Sequence, residues 1–371
     1  MKKTLVLSAM AMMLIGASAF AKESTLIDFT MLDGDISIKA QDSDVEIKQN
    51  KRTVMDYGVA AGASFNAEQK SLMKTSLYLG EWEVLLNSSS QNVAALAQST
   101  VKPALVKDSA KVPFAGKNVM GVRVTFPTWA ANANAKIVPP FIIPAYEPLS
   151  TADDNGDRQP STDEEKATGR TLFEADSEDT PAYGVVKNVG TLKSIAVTTM
   201  GMNFPHGLYV LLGDTDGISR RYFMGYLGFD GWKTLQWNNP DYISEVRTRE
   251  IRVYPIYPRG LPFVKFEGFQ ITRDAAHVGG DFVGYFKDVK IIYDKAELVS
   301  ERDIADEDLW GIVTKKEKAR QTIEMSRFGN KQVNRYIEKS KMATEEQFSS
   351  SLDENSDSNA QSNGGQAADA K

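Results

Sequence analysis

Residues Gly225–Trp237 read GYLGFDGWKTLQW. With the two apolar runs that follow, Leu261–Ile271 and Phe282–Tyr293, this stretch decides the fold. Each run is short, β-branched or aromatic, and bounded by Gly, Pro, Asn or Asp, which is the signature of successive strands in an antiparallel β-sandwich. Asp230-Gly231 is expected to supply a turn, because glycine accepts the positive φ such turns need. Alternation then sets Trp232 on the face opposite Leu235 and Trp237. In the third run Val289, Ile291 and Tyr293 share one face while Asp288 and Lys290 point the other way, as in a sheet with one wet side.

The same style of strand recurs on both sides of the chain's midpoint. Leu26–Phe29 begins it, and Leu72–Leu86 carries Trp82, Val84 and Leu86 in alternation before Asn87-Ser88-Ser89-Ser90. In Val119–Phe126 the residues Val122, Val124 and Phe126 share a face, and Pro127 ends the run. Further strands fall at Leu192–Met200, Leu208–Gly213 and Tyr222–Leu227, with Asp214–Gly217 as a turn, and Pro255–Pro262 marks a loop. Seven or more short strands favour a sandwich. Past Asp294 the period becomes helical: Thr314 with Glu317 fits a capping box, and Val333, Tyr336 and Ile337 follow at helical spacing.

The expected fold is therefore mainly β. It is a jelly-roll-like antiparallel β-sandwich of the carbohydrate-binding-module or galactose-binding-like kind, with a C-terminal helical arm. Residues 1–21 form a secretory signal: Lys2 and Lys3, an apolar run, then Ala19-Phe20-Ala21, with cleavage expected after Ala21. The sandwich spans 22–299 with an exposed insertion at about 139–180, Pro-rich and then densely polar. The helical arm covers 300–348, and the Ser/Asp/Asn-rich tail 349–371 is expected to be disordered.

Losing Lys2 and Lys3 with the signal moves the formal net charge from -6 to -8, which argues against nucleic acid as a partner. No later stretch has the roughly 18 to 20 uninterrupted apolar residues of a spanning helix, so no membrane anchor is expected. With no cysteine, disulfides, thiol catalysis and Cys-based zinc sites are excluded, and an exported chain must rely on core burial.

Chemical signals are sparse. The two histidines, His206 and His277, read as surface or loop residues, and no nucleophile elbow accompanies them. Asp153-Asp154-Asn155-Gly156-Asp157 and Asp214-x-Asp216-Gly217 offer oxygens to calcium but lack EF-hand spacing, and such residues also build ordinary turns. Trp232 and Trp237 could form a sugar-stacking platform or lie in the core. The expectation is no enzyme, no catalytic residue, no metal and no cofactor. The candidate interaction surface comprises Trp232, Trp237, Asp153, Asp157, Tyr257 and Arg259. The basic stretch Lys315–Lys341 either packs back on the sandwich or makes an inter-subunit contact.

The GWK element at 231–233 resembles one found in jelly-roll carbohydrate-binding modules. A more specific resemblance lies in GFDGWKTLQWNNPDYI (228–243), REIRVYPIYPRGLPFVKFEGFQITRDA (249–275) and GYFKDVKIIYDKA (284–296). These resemble the class A filament outer-layer proteins of spirochaete periplasmic flagella, over most of the mature chain and most strongly from Val189 to Ala296. The resemblance implies a periplasmic sheath component of the flagellum that coats the flagellin core and tunes filament stiffness and shape in motility. Its implied partners are flagellin, other sheath proteins and copies of itself. A periplasmic or secreted glycan-binding module, and then a glycoside-active hydrolase, are the alternatives, since fold alone does not choose.

Overall fold

The computed structural model describes residues 21–39, 46–175, 180–251, 261–277, 279–296 and 305–341. The chain divides into two compact units, Met1–Met55 with Thr75–Met325, and Asp56–Lys74 with Ser326–Lys371. The signal residues 1–20, the tail 349–371, and Tyr257 and Arg259 lie outside the described residues.

The larger unit contains the sandwich. Its twelve strands begin with β1 (Lys22–Asp28), β2 (Glu83–Leu86), β3 (Thr100–Leu105), β4 (Asn118–Thr125), β5 (Ala133–Val138) and β6 (Val185–Lys187). After them come β7 (Val189–Met202), β8 (Gly207–Asp214), β9 (Ser219–Tyr226), β10 (Asp230–Asn238), β11 (Phe263–Arg273) and β12 (Asp281–Lys295). Sheet 1 runs β10-β7-β12-β4-β3, with β1 also on β12; sheet 2 runs β9-β8-β11-β5-β2, with β6 also on β11. Every pairing in both sheets is antiparallel.

The two longest runs read from the sequence are the central strands, and each serves two short partners in one lane. In β12 the first half pairs with β4 up to Phe286, and the second half pairs with β1 from Asp288 onward. Lys287 is the extra residue, because Thr198 and Thr199 of β7 face Asp288 and Phe286. This bulge shifts the inward phase from Phe282 and Phe286 to Val289, Ile291 and Tyr293, all at most 2% exposed. β11 uses the same device: β6 pairs before Phe266, β5 from Phe269, and the register slips between Phe266 and Gly268. Gly268 sits there at φ +140°, and an added Cβ would clash with the Ile137 carbonyl oxygen.

The core lies where the central strands face each other. Phe269 and Phe286 stack at 4.5 Å, and Phe266, Phe29 and Trp82 surround them with centroids 5.1 to 6.1 Å apart. The alternation in Val119–Phe126 is seen directly, with Val122, Val124 and Phe126 all buried. Asp288 differs from its expected wet placement. It is 3% exposed, because the bulge turns Lys287 back to bond both Asp288 (2.7 Å) and Asp28 of β1 (2.8 Å). The Asp28 carboxylate also accepts from the Thr30 amide and hydroxyl, capping the short helix Phe29–Met31.

The stretch 139–180 is exposed only in its middle, and its flanks are buried. Phe141, Ile143, Ala145, Leu172 and Phe173 are at most 2% exposed, while 153–170 carries the exposed polar side chains. Proline prevents a regular strand here, yet irregular chain can still bury side chains. Glu174 bridges to Val185 of β6 and Pro148 to Thr171, so this coil covers that flank of sheet 2.

Helix Ile312–Arg327 packs back on the sandwich: Glu324 accepts from the Ala145 amide (3.1 Å) and pairs with Lys265 (3.4 Å). It starts before the expected Thr314/Glu317 box. Glu307 caps it instead, accepting from the Val313 and Thr314 amides at 3.0 Å. In the smaller unit, Tyr57, Ala61 and Met73 are buried, with Phe65, Phe328, Val333 and Tyr336 packed against them. Helix 330–341 supplies Val333 and Tyr336, which matches the spacing seen in sequence. Helix Tyr242–Ile251 has no counterpart in the sequence reading.

Candidate interaction surface

Strands β9 and β10 end the two sheets, each with one neighbour among the described strands. β9 follows β8 through the turn at Asp214, whose Oδ1 accepts from the Asp216 and Ile218 amides at 3.0 Å. Burial alone would raise the Asp214 carboxyl, but its hydrogen bonds from Arg220 and these amides outweigh that and hold it below its ordinary range. From β9 the chain crosses to sheet 1 through Leu227-Gly228-Phe229. Asp230-Gly231 is thus not the turn itself; both residues already pair with Met202 and Gly201 of β7. Because the crossing is short, the two edge strands stay together, and Tyr222 packs on Trp237 at 4.7 Å between them.

Neither tryptophan of β10 stands open. Trp237 is half-buried against Tyr222, and Trp232, on the opposite face, meets Phe114 edge-on at 4.7 Å. Val106, Phe114 and Val119 form a small cluster there, to which Trp232 and Tyr285 contribute. The connection between β3 and β4 therefore seals this part of the outer face of sheet 1.

The acidic sequence 153–157 folds as a turn. Asp153 Oδ1 accepts from the Asn155 and Asp157 amides at 2.9 and 2.8 Å, and Asp154 reaches Lys51 at 3.1 Å on the surface. Asp157 is exposed. Among the described residues no group of three or more histidines and carboxylates is arranged to hold a metal. Ala21 immediately precedes β1.

Sequence reasoning missed two features. One is a row of aromatic side chains on β8 and β9, in which Phe223 is 40% and Tyr226 55% exposed; period-two reading found the strand but could not say which face stays uncovered. The other is a polar pair beneath the loops at that end. His206, expected at the surface, is 4% exposed, and Arg273 is 1% exposed. His206 lies among Phe126, Phe204 and Phe282, with centroids 5.3 to 6.0 Å away. Neither of its ring nitrogens has a hydrogen-bond partner among the described residues.

Burial, aided by the positive charge of Arg273, lowers the His206 pKa from 6.5 to about 4. Its imidazole is neutral in the fold but protonates readily in the unfolded chain between those values. Stability should therefore rise with pH across that window and fall on acidification, by about 3 kcal/mol from this group. Urea unfolding between pH 4 and 7 measures it: His206→Phe should lose markedly less stability in acid than the wild type. Equal losses in both would remove His206 as the cause.

The fold is an antiparallel sandwich whose two sheets end side by side at β9 and β10 among the described strands. A family model described as "FlaA: Flagellar filament outer layer protein Flaa" matches residues 46–302. The chain is 58% identical, over 95% of its length and 97% of the relative's, to a "Flagellar filament outer layer protein" of Treponema pallidum (strain Nichols). It is 41% identical, over 94% and 95%, to one of the same name from Spirochaeta aurantia. This chain belongs to the flagellar filament outer layer protein family. Among solved structures, TmCBM61 in complex with beta-1,4-galactotriose aligns at a TM-score of 0.25 and 11% identity, covering 58% of this chain and 90% of that one. A family 11 carbohydrate-binding module of Clostridium thermocellum aligns at 0.24 and 11%, covering 58% and 89%. These likenesses are too distant to bear on function.

Proposed function

We propose that the chain is a sheath subunit that coats the flagellin core of periplasmic flagella and tunes the stiffness and shape of the filament in motility. The observation that carries this reading is 58% identity across nearly the whole of a relative named as a filament outer layer protein. Its partners are flagellin subunits, other sheath proteins and neighbouring copies of itself, and it works without catalysis or a cofactor. β9 and β10, which end their sheets among the described strands, support lateral contact, since edge backbone groups can engage a neighbour, while Arg220, Arg221 and Lys233 restrain indiscriminate pairing. The turn at 153–157, the stretch 255–262 and the C-terminal helices are further contact candidates. A contact repeated along a filament holds even when each one is weak.

Cells lacking the protein are expected to carry thinner filaments and to swim poorly, and the protein should co-sediment with isolated filaments. Unchanged filament diameter by electron microscopy would contradict the assignment. Export with cleavage after Ala21 belongs to the same reading, and an intact Met1 in the mass of the native protein would refute it.

A further inference from the structure

We propose that the outer face of sheet 2, beside the β9 edge, is a binding site for a saccharide chain. Strand register builds it from two parallel rows. One row runs Tyr226, Gly207, Thr272, Asn134 across β9, β8, β11 and β5; the next runs Phe223, Tyr209, Gln270, Lys136. The rows lie two residues apart along β8, β11 and β5, about 7 Å, and three apart on β9, where a bulge intervenes. At their β9 end the rings form a continuous strip: Tyr209 to Phe223 is 5.0 Å and Phe223 to Tyr226 is 5.3 Å. The Arg221 guanidinium lies 5.4 Å over Tyr209 and closes the strip.

Glycine at 207 lets the first row close up: a Cβ there would stand 2.6 Å from Thr272 Oγ1, 3.3 Å from Phe223 Cε2 and 3.8 Å from Tyr226 Cε1. The Thr272 hydroxyl therefore sits beside the ring edges, donating to the Gly207 carbonyl at 3.4 Å. Beyond it the Asn134 amide and the exposed Lys136 ammonium continue the two rows.

The occupant follows from this juxtaposition. A pyranose has an apolar C–H face and a rim of hydroxyls, so it can lay the face on an aromatic ring and hydrogen-bond through the rim. A protein partner would be expected to find a broader apolar centre surrounded by a polar rim. Here the apolar strip is narrow, and along its two rows, past the buried Gln270, stand the half-buried Asn134 amide and the exposed Lys136 ammonium. The corresponding aromatic residues on sheet 1, Trp232 and Tyr285, are packed in the Val106, Phe114 and Val119 cluster, whereas Tyr226 is 55% exposed.

The test titrates the purified full chain with cellotetraose, mannotetraose and tetragalacturonate by calorimetry. Saturable binding of at least one is expected, weakened at least tenfold in Tyr226→Ala and several-fold in Lys136→Ala, with thermal midpoints unchanged. Binding of tetragalacturonate alone would support the site with Lys136 reading a carboxylate. No binding by any of the three overturns the proposal, as does wild-type affinity in Tyr226→Ala. If Tyr226→Ala fails to fold, wild-type affinity in Lys136→Ala overturns it. No filament is present in this assay, so its failure leaves the sheath assignment standing.

Discussion

Lys287→Met is expected to destabilise the sandwich by about 3 to 5 kcal/mol, the loss typical when one partner of a buried ion pair is removed. Lys287 holds Asp28 at 2.8 Å and Asp288 at 2.7 Å, and those carboxylates are 8% and 3% exposed. Methionine nearly matches the lysine stem, so the loss would report charge and hydrogen bonding more than volume. Burial alone would lower the Lys287 pKa, but its hydrogen bonds and attraction to the two carboxylates outweigh that and hold it above the ordinary 10.5. A raised cationic pKa contributes stability that is complete below about 10.5 and disappears as pH rises through the folded value. The wild type should therefore lose this contribution only in strong alkali. The variant lacks it at neutral pH. Denaturant unfolding at pH 7 and 10 reads both points. A loss under 1 kcal/mol at pH 7 would show that Lys287 does not organise this junction.

That junction marks where sequence patterning stops being informative. Alternation identified Val289, Ile291 and Tyr293 as one face, and all three are buried. It also sent Asp288 to water, because strict period two does not contain a bulge. The bulge depends on two short strands sharing the lane beside β12, which is a long-range fact. The same limit explains Asp230-Gly231: the local turn chemistry is correct, but the chain crosses between sheets at Leu227–Phe229, so the pair begins a strand. In the stretch after Pro139 the proline-rich, polar composition pointed to an exposed connection, and the burial of Phe141 and Phe173 had no periodic trace.

The candidate surface was less legible than the fold. Trp232 and Trp237 were singled out as a stacking platform or core residues, and the side chains that cover them lie away in sequence, at Phe114 and Tyr222. Phe223 and Tyr226 drew no notice, since exposure is decided by which connection folds over which sheet face. His206 and Arg273 were hidden for a related reason. A polar residue inside an aromatic nest looks, one residue at a time, like a polar residue in a loop. The family resemblance, carried by long matched segments rather than by a site, was the part of the functional reading that sequence supported best.

Arg273→Ala should unfold more of this end of the sandwich than any substitution at an exposed aromatic residue. Its guanidinium donates to the carbonyls of Pro127 at 2.6 Å, Trp129 at 3.0 Å and Ala131 at 3.3 Å, and lies 5.5 Å over Phe126. No carboxylate takes part in these contacts, so the cation is held by backbone dipoles and a ring face, and burial lowers its pKa. Hydrogen bonds from a charged group contribute roughly 1.5 to 3 kcal/mol each, and they are not additive. Truncation also leaves a void and orphaned carbonyls, so the total is expected at about 4 kcal/mol. Arg273→Lys should recover little, because an ammonium cannot span three carbonyls with the planar fork. The loop at 127–131 carries Trp129, 57% exposed, so local release should be visible even before global unfolding. The readouts are the denaturation midpoint and amide exchange of residues 127–131. In the variant, both the midpoint and the protection of that loop should fall. Wild-type protection there in Arg273→Ala would mean the loop is held by something other than this arginine.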